Sequence, residues 1–316
     1  MATVLTLLRA AGEATRLRIL AALSTGELTV SELVQVLLQS QPRISRHLKL
    51  LTDSGLVYRH PEGSWVFYRL NESALHGDFV ATLLARLPDD DTALQRDRER
   101  LAQVRRARAD RAQDYFAANA ENWDAIRALH IPEKRIEQEM RRLAGDARCE
   151  LLVDLGTGTG RMLEVFADRA RRAVGFDVSP DMLTIARVRL DDMKARCFQV
   201  RQGDIHDVAL EDGVADIVIL HHVLHFLDNP QRAVAEAARI LAAGGRLLIA
   251  DFLPHDLEFL RADHAHRRLG FDDDEITHWL AQAGLTAGKP VHLHPDKGRG
   301  ELTVALHAAA KKRARA

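Results

Sequence analysis

The chain has 316 residues, of which 47% are hydrophobic, and a formal net charge of −1. That length favours two domains with proper cores, and the near-zero charge excludes a polyanion-binding field spread over the whole molecule. No apolar run approaches the roughly 20 residues of a membrane span, the N-terminus lacks a signal-peptide pattern, and the two cysteines, Cys149 and Cys197, form no C-x-x-C pair. A cytoplasmic protein with no disulfide framework is expected, with both cysteines buried as small apolar residues.

Residues Thr3 to Ala11 and Ala14 to Leu23 place apolar side chains at helical spacing, and Thr29 to Leu38 reads as a short helix. After Gln39-Ser40 a further helix is expected, with Pro42 in its first turn and Gly55 at its end. Ile44, Leu48 and Leu51 fall on one face of it, and Arg43, Ser45, Arg46 and Lys49 on the others. Leu56 to Arg59 and Trp65 to Leu70 read as two strands joined by Pro61-Glu-Gly-Ser64, a β-hairpin. Helix, turn, helix and hairpin in this order make a winged helix. From Gln41 to Arg69 five basic residues (Arg43, Arg46, Lys49, Arg59, Arg69) face two acids (Asp53, Glu62). Local positive charge of this kind suits phosphate binding.

This stretch resembles the ArsR/SmtB family of bacterial repressors over roughly Leu5 to Leu87, most specifically at Ile44-Ser-Arg-His-Leu-Lys-Leu-Leu51. The resemblance implies that this helix enters the major groove of double-stranded operator DNA, that the wing reaches the flanking backbone, and that the protein is a homodimer. Arg43, Ser45, Arg46, His47, Lys49 and the wing residue Arg59 would carry the DNA contacts. Many members sense soft metals through cysteines in the helix before the turn. Here Glu27 to Leu33 carries none, so a thiol-based metal sensor is not expected. The terminal helices, near Ala2 to Ala11 and Leu75 to Leu87, would supply the dimer interface.

A connector follows, from about Pro88 to Gly145. Asp97 to Arg111 is dense in mixed charges and reads as an exposed helix or helical tether. Tyr115, Phe116 and Trp123 concentrate aromatic rings ahead of the next domain and are candidates for a lid.

Leu151-Leu-Val-Asp-Leu-Gly-Thr-Gly-Thr-Gly160 then runs from a strand pattern into three alternating glycines and a helical segment. Gly156, Gly158 and Gly160 permit a sharp turn and a close backbone approach to a ligand. A second strand ends in Asp177, 21 positions after Gly156, the spacing of a carboxylate that binds ribose hydroxyls. Dinucleotide fingerprints want Gly or Ala at the sixth position of the loop, where this chain has Arg161. The D-x-G-x-G-x-G pattern beginning at Asp154 instead resembles motif I of the class I S-adenosylmethionine (SAM) methyltransferases. Gly175 to Met182, Gln202 to Ile205, Ala215 to His222 and Ala242 to Asp251 resemble the later motifs, in the family's order, from about Leu151 to His307. The resemblance implies a Rossmann-like sheet, mostly parallel, with a final antiparallel pair near Lys289 to His307. It implies SAM or S-adenosylhomocysteine as cofactor, with Asp154, Gly156, Gly158 and Gly160 at the loop and Asp177 on the ribose. Met182, Asp204 and Ile205 would lie around the adenine, and His221 would line the methionine end.

His225 resembles the basic histidine of plant-type O-methyltransferases, and equally a Leu-His phrase of methyltransferases that use no such base. His221 and His225 stand at i, i+4, but the sole local third candidate, Asp228, is a weak one and no metal site is expected. The pairs His264/His266 and His292/His294 suggest surface or strand alternation. The basic tail from Lys311 to Arg315 reads as a solvated end.

The expected organisation is therefore an α/β protein: a winged helix over residues 1–87, a helical linker and lid over 88–145, and a SAM-binding methyltransferase domain over 146–310. It is read as a transcriptional regulator whose second domain transfers methyl groups, senses SAM or S-adenosylhomocysteine, or both. The alternative is a small-molecule O-methyltransferase whose winged helix only dimerises.

Overall fold

Thr29 fixes the start of the helix-turn-helix. Its hydroxyl accepts the Glu32 N–H at 3.3 Å while the Glu32 carboxylate accepts the Thr29 N–H at 2.8 Å, so two otherwise orphaned donors are satisfied at once. The computed structural model describes residues 2–62, 65–71, 74–88, 90–119, 133–192, 197–295 and 302–312. It divides into two compact units, Met1–Arg111 and Ala112–Ala316.

In the first unit, α1 (Ala2–Ala11) and α2 (Ala14–Leu23) precede β1 (Leu28–Thr29), α3 (Val30–Leu37) and α4 (Gln41–Asp53). The hairpin of β2 (Val57–Glu62) and β3 (Trp65–Leu70) follows, then α5 (Ala74–Leu84). The strands form an antiparallel sheet in the order β1-β3-β2. Pro61 pairs with Val66 inside β2, which reaches Glu62 rather than stopping at Arg59. Proline cannot donate to a ladder, and it is tolerated because β2 is an edge strand. The core joins α1 to α4 and the hairpin through fully buried Ile19, Leu20, Leu33, Ile44, Leu48 and Leu51. The last three are the apolar face expected of α4.

The charged connector is not a free tether over its first half. α6 (Thr92–Asn119) buries Leu94, Asp97 and Leu101. The Asp97 carboxylate takes a bidentate pair from Arg18 of α2 at 2.5 and 2.7 Å and a third bond from Arg100 at 2.6 Å. Arg100 also donates to the Val36 carbonyl, and Arg105 to that of Thr25. The first unit therefore runs to Arg111, beyond the expected limit at 87, because buried charge pairing recruits this stretch to it. The side chains of Tyr115 and Phe116, and Trp123 altogether, lie outside the described residues, as do the hairpin tip and the tail beyond Lys312.

The second unit has α7 (Glu133–Ala144), β4 (Cys149–Leu155), α8 (Arg161–Val165), β5 (Ala170–Asp177), α9 (Pro180–Asp192), β6 (Phe198–Gln202) and β7 (Ala215–His221). A single 3-10 turn at Leu224–Phe226 leads to α10 (Pro230–Ile240) and β8 (Leu241–Phe252). α11 (Phe259–Asp263), α12 (Asp273–Gln282), β9 (Leu285–Ala287), β10 (Val291–Leu293) and β11 (Val304–Lys311) complete it. Its eight strands form one sheet in the order β10-β11-β8-β7-β4-β5-β6, with β9 also on β11. β8-β7-β4-β5-β6 run parallel and β9, β10 and β11 pair antiparallel. Strand order reverses between β4 and β7. The carboxyl ends at that switch are where sheets of this kind bind ligands. Cys149 is buried, which pushes its thiol up to about 11, whereas Cys197 is exposed, contrary to expectation.

Candidate functional site

The glycine loop leaves β4 at the switch point. Gly156, Gly158 and Gly160 all have positive φ (78°, 52° and 80°), which a side chain would strain. A Cβ on Gly156 would stand 2.4 Å from Val223 Cγ2. The N–H groups of Gly156 and Thr157 both donate to the Phe176 carbonyl, so the loop folds back onto β5. Below it Asp154, 1% exposed, accepts the Thr157 hydroxyl at 2.6 Å. Arg161, at the position that a dinucleotide site keeps small, turns to Glu137 of α7 with bonds of 2.5 and 2.8 Å and to Glu164 at 2.6 Å. Its cation ties α7 to the loop, and the two carboxylates raise its pKa, that of Glu137 foremost.

Asp177 ends β5 half-buried. One oxygen accepts the Gly158 N–H at 2.8 Å and the other the Ser179 N–H at 2.9 Å. Burial raises its pKa, and these backbone donors oppose the rise. Each oxygen keeps a lone pair for a further donor, so the carboxylate is chemically suited to a vicinal diol laid across the loop. Beside it Val178 is 51% exposed, an apolar surface that the sequence reading passed over. Met182, expected near the adenine, is 2% exposed within the unit. Asp204, with a 65% exposed side chain, accepts the backbone N–H and Nδ1 of His206 at 2.9 and 2.7 Å. The bond from the His206 side chain lowers its pKa to about 2. Ile205 is buried next to it. The loop, Asp177, Val178 and Asp204 thus gather at the carboxyl ends of β4, β5 and β6.

His221 closes β7, with Nε2 3.3 Å from Glu133 of α7. His225 is 2% exposed, and its Nδ1 lies 2.7 Å from Oδ1 of Asp251 at the end of β8. A base must meet its acceptor, and this imidazole is covered, which disfavours the first of its two resemblances, that to a basic histidine. His266 is also buried, and its ring centroid lies 4.1 Å from that of His225. It is therefore not part of a surface alternation, and burial with neighbouring histidines holds it well below the usual histidine pKa. A surface depression of about 950 Å³ lies at the amino ends of the strands, lined by Cys149, Arg169, Arg171 and Asp216. It is remote from the glycine loop.

On the first unit α4 exposes Arg43, Ser45, Arg46 and Lys49, and β2 exposes Arg59. His47 is set apart from them: it is half-buried, 3.6 Å from Glu13 of the α2 cap, and burial lowers its pKa. On α1, Val4, Leu5 and Leu8 are 44 to 49% exposed.

Two family models match, one on each unit. Residues 13–59 match that described as bacterial regulatory protein, arsR family, and residues 153–249 match that described as methyltransferase domain. The chain is thus an ArsR-type helix-turn-helix joined to a methyltransferase-type domain. A Streptomyces fradiae protein, described as an uncharacterized 37.1 kDa protein in transposon TN4556, is 35% identical over 49% of the chain and 45% of its own length. The demethylmenaquinone methyltransferase of Thermobifida fusca is 31% identical over 43% of the chain and 59% of its own length. The chain therefore spans about half the length of these curated relatives. Among solved structures, the protein complexed with the Haloferax volcanii Trm112 methyltransferase activator superimposes with a TM-score of 0.55 at 20% identity, over 65% of this chain and 99% of that one. That likeness is one of fold. No helix among the described residues is long and apolar enough to cross a membrane.

Proposed function

We propose that the protein is a DNA-binding transcriptional regulator whose second unit binds SAM or S-adenosylhomocysteine, and that this ligand alters its affinity for operator DNA. The observation that carries the reading is the pairing, in one chain, of two surfaces with no structural reason to coexist. One is the solvent-facing cationic set Arg43, Arg46 and Lys49 on α4, whose opposite face is fully buried. The other is the glycine loop clasped by Asp177 at the switch point of a parallel sheet. On this reading Asp177 accepts the ribose hydroxyls, Val178 and Ile205 flank the adenine, and Asp204 accepts its amino group. Gly156, Gly158 and Gly160 let the backbone pass close beneath, while Asp154 and Thr157 brace the loop from below. His221 lies toward the sulfonium end. Arg43, Ser45, Arg46, Lys49 and Arg59 contact DNA; His47 is left out because it faces Glu13.

A homodimer fits both this reading and the rival one, since Val4, Leu5 and Leu8 offer an apolar strip on α1. The rival is a small-molecule methyltransferase whose winged helix only dimerises. A fluorescence-anisotropy titration separates them. Purified protein is added to duplex DNA from upstream of its own reading frame, with and without saturating SAM or S-adenosylhomocysteine. We expect salt-sensitive binding whose midpoint moves with ligand, because a ligand shifts a state only through differential affinity. No DNA affinity at low salt would hand the protein to the rival reading. DNA affinity that ignores a calorimetrically verified ligand would remove the coupling. Turnover of labelled SAM with candidate acceptors tests methyl transfer separately.

A further inference from the structure

His225 and Asp251 belong to a larger buried cluster that the cofactor reading does not use. β7 and β8 run parallel with His221 opposite Ala250, so the residues just beyond, His222 and Asp251, emerge side by side. The His222 N–H donates to the Ala250 carbonyl at 2.8 Å. The 3-10 turn then brings His225 back over the same corner, where Asp251 accepts the Leu224 N–H at 3.0 Å and bonds His225 Nδ1 at 2.7 Å. Asp251 lies 26 positions from His225 in sequence, which is why it was not visible there as a third ligand.

The segment after α11 completes the enclosure. The Arg267 and Arg268 N–H groups donate to the His225 carbonyl at 2.9 and 3.1 Å, which lays His266 against His225. Both arginine side chains turn away, to Asp228 at 2.9 Å and Glu275 at 3.2 Å, so neither cation opposes a second one in the cluster. His222 and Ala265 hold left-handed backbone, with φ of 51° and 56°. Non-glycine residues occupy that region at a cost that surrounding interactions must offset.

We propose that His222, His225 and Asp251, capped by His266, hold a divalent first-row transition-metal ion of the zinc type. One ring nitrogen from each of His222 and His225 and one carboxylate oxygen of Asp251 lie within 4.8 Å of one another. Tetrahedral ligands at about 2.0–2.2 Å from one zinc ion stand roughly 3.3–3.6 Å apart, so side-chain rotations that close the widest pair by about 1–1.5 Å complete the set. Two imidazoles and a carboxylate suit zinc, iron or cobalt better than magnesium or calcium. The independent observation is His266, more than nine-tenths buried, whose Nδ1 has no hydrogen-bond partner among the described residues. A buried nitrogen without a partner is destabilising, and a nearby cation would offset that cost. His222, His225, Asp251 and His266 are each 9% exposed or less. Three protein donors leave one position of a tetrahedron for a further ligand, and burial shields that position from bulk solvent. The ion would pin the carboxyl ends of β7 and β8 to the segment carrying His266. This assignment does not depend on SAM or on DNA.

The test uses the full-length chain, stripped with chelator and titrated with Co2+ and Zn2+. We expect one equivalent of Co2+ to give visible d–d absorption, displaced by Zn2+, and Zn2+ to raise the melting temperature saturably. His222→Gln and His225→Gln should each weaken binding at least a hundredfold. His292→Gln, at an exposed histidine on β10, should bind like the wild type. Absence of saturable binding, or His222→Gln with wild-type affinity, overturns the proposal. Should either cluster variant fail to fold, ring-nitrogen NMR of the wild type replaces it. One equivalent of Zn2+ must then shift the signals of at least two histidines outside the His292/His294 pair, and unchanged signals overturn the assignment equally.

Discussion

Gly156 shows how little freedom the loop has. Its φ of 78° already disfavours any side chain, and the nearest obstacle to a Cβ is Val223, only 2.4 Å away. Gly156→Ala is therefore expected to lower SAM affinity by at least tenfold and to destabilise the second unit by about 2 kcal/mol, as overpacking typically does. Calorimetric titration and a chemical melt would measure the two effects. Asp177→Asn should weaken cofactor binding and also loosen the loop. It keeps the shape but supplies one acceptor oxygen where two now receive the Gly158 and Ser179 N–H groups, so its NH2 faces one of these donors. A loss of cofactor affinity larger than the accompanying loss of stability supports the ribose role, and unchanged affinity counts against it. Leu38 presents the opposite case. It ends α3 with φ 53° and is 71% exposed, so a position suited to glycine or asparagine carries a bulky apolar residue. Leu38→Asn should raise the stability of the first unit by about 1 kcal/mol, the size of the left-handed penalty.

At the scale of elements, α6 teaches that charge pattern alone does not separate a tether from a clamp. Its sequence is dense in mixed charge, yet Asp97 is 4% exposed and bonds both Arg18 and Arg100. Removing one partner of a buried pair strands the other charge, so Asp97→Asn should cost the first unit about 3 kcal/mol, read from its denaturant midpoint. An effect below about 1 kcal/mol would mean that this stretch is solvated after all. α4 was legible because its two faces differ in kind: Ile44, Leu48 and Leu51 are fully buried while Arg43, Arg46 and Lys49 are exposed. Arg46→Ala combined with Lys49→Ala should weaken DNA binding at every sequence tested and lower the salt slope by about 2. A slope equal to that of the wild type would argue that the helix does not touch phosphates.

For the whole molecule, buried histidine sets a pH dependence. His307 on β11 is 3% exposed, and burial holds its pKa below the ordinary value. The unfolded chain therefore takes up a proton at higher pH than the fold does. The stability tied to keeping this imidazole neutral is complete above about pH 6.5 and declines as pH falls below it. Melting temperatures of the second unit's transition should drop between pH 7.5 and 5.5, and His307→Asn should flatten that slope. A wild-type melt that does not change across this range would contradict the sign.

Sequence by itself determined the two modules, their order and the glycine loop, because each is encoded by short-range spacing. The alternating glycines, the acid at Asp177 and the apolar face of α4 all lie within one turn or one strand-helix unit. The parallel sheet and its antiparallel end are implied by the resemblance of the later motifs to the class I methyltransferases. What only the tertiary structure decided involves partners far apart in the chain. Asp97 meets Arg18 across 79 positions, and Asp251 meets His225 across 26. His266 turns from a surface expectation into a buried neighbour of His225 once the backbone of Arg267 and Arg268 docks on the His225 carbonyl. Val178 is exposed and Met182 is buried because strand ends and helix faces are assigned by packing, which no spacing rule records. Burial converts these side chains from generic charges and rings into specific chemistry, since desolvation leaves each polar group dependent on the few partners the fold brings to it.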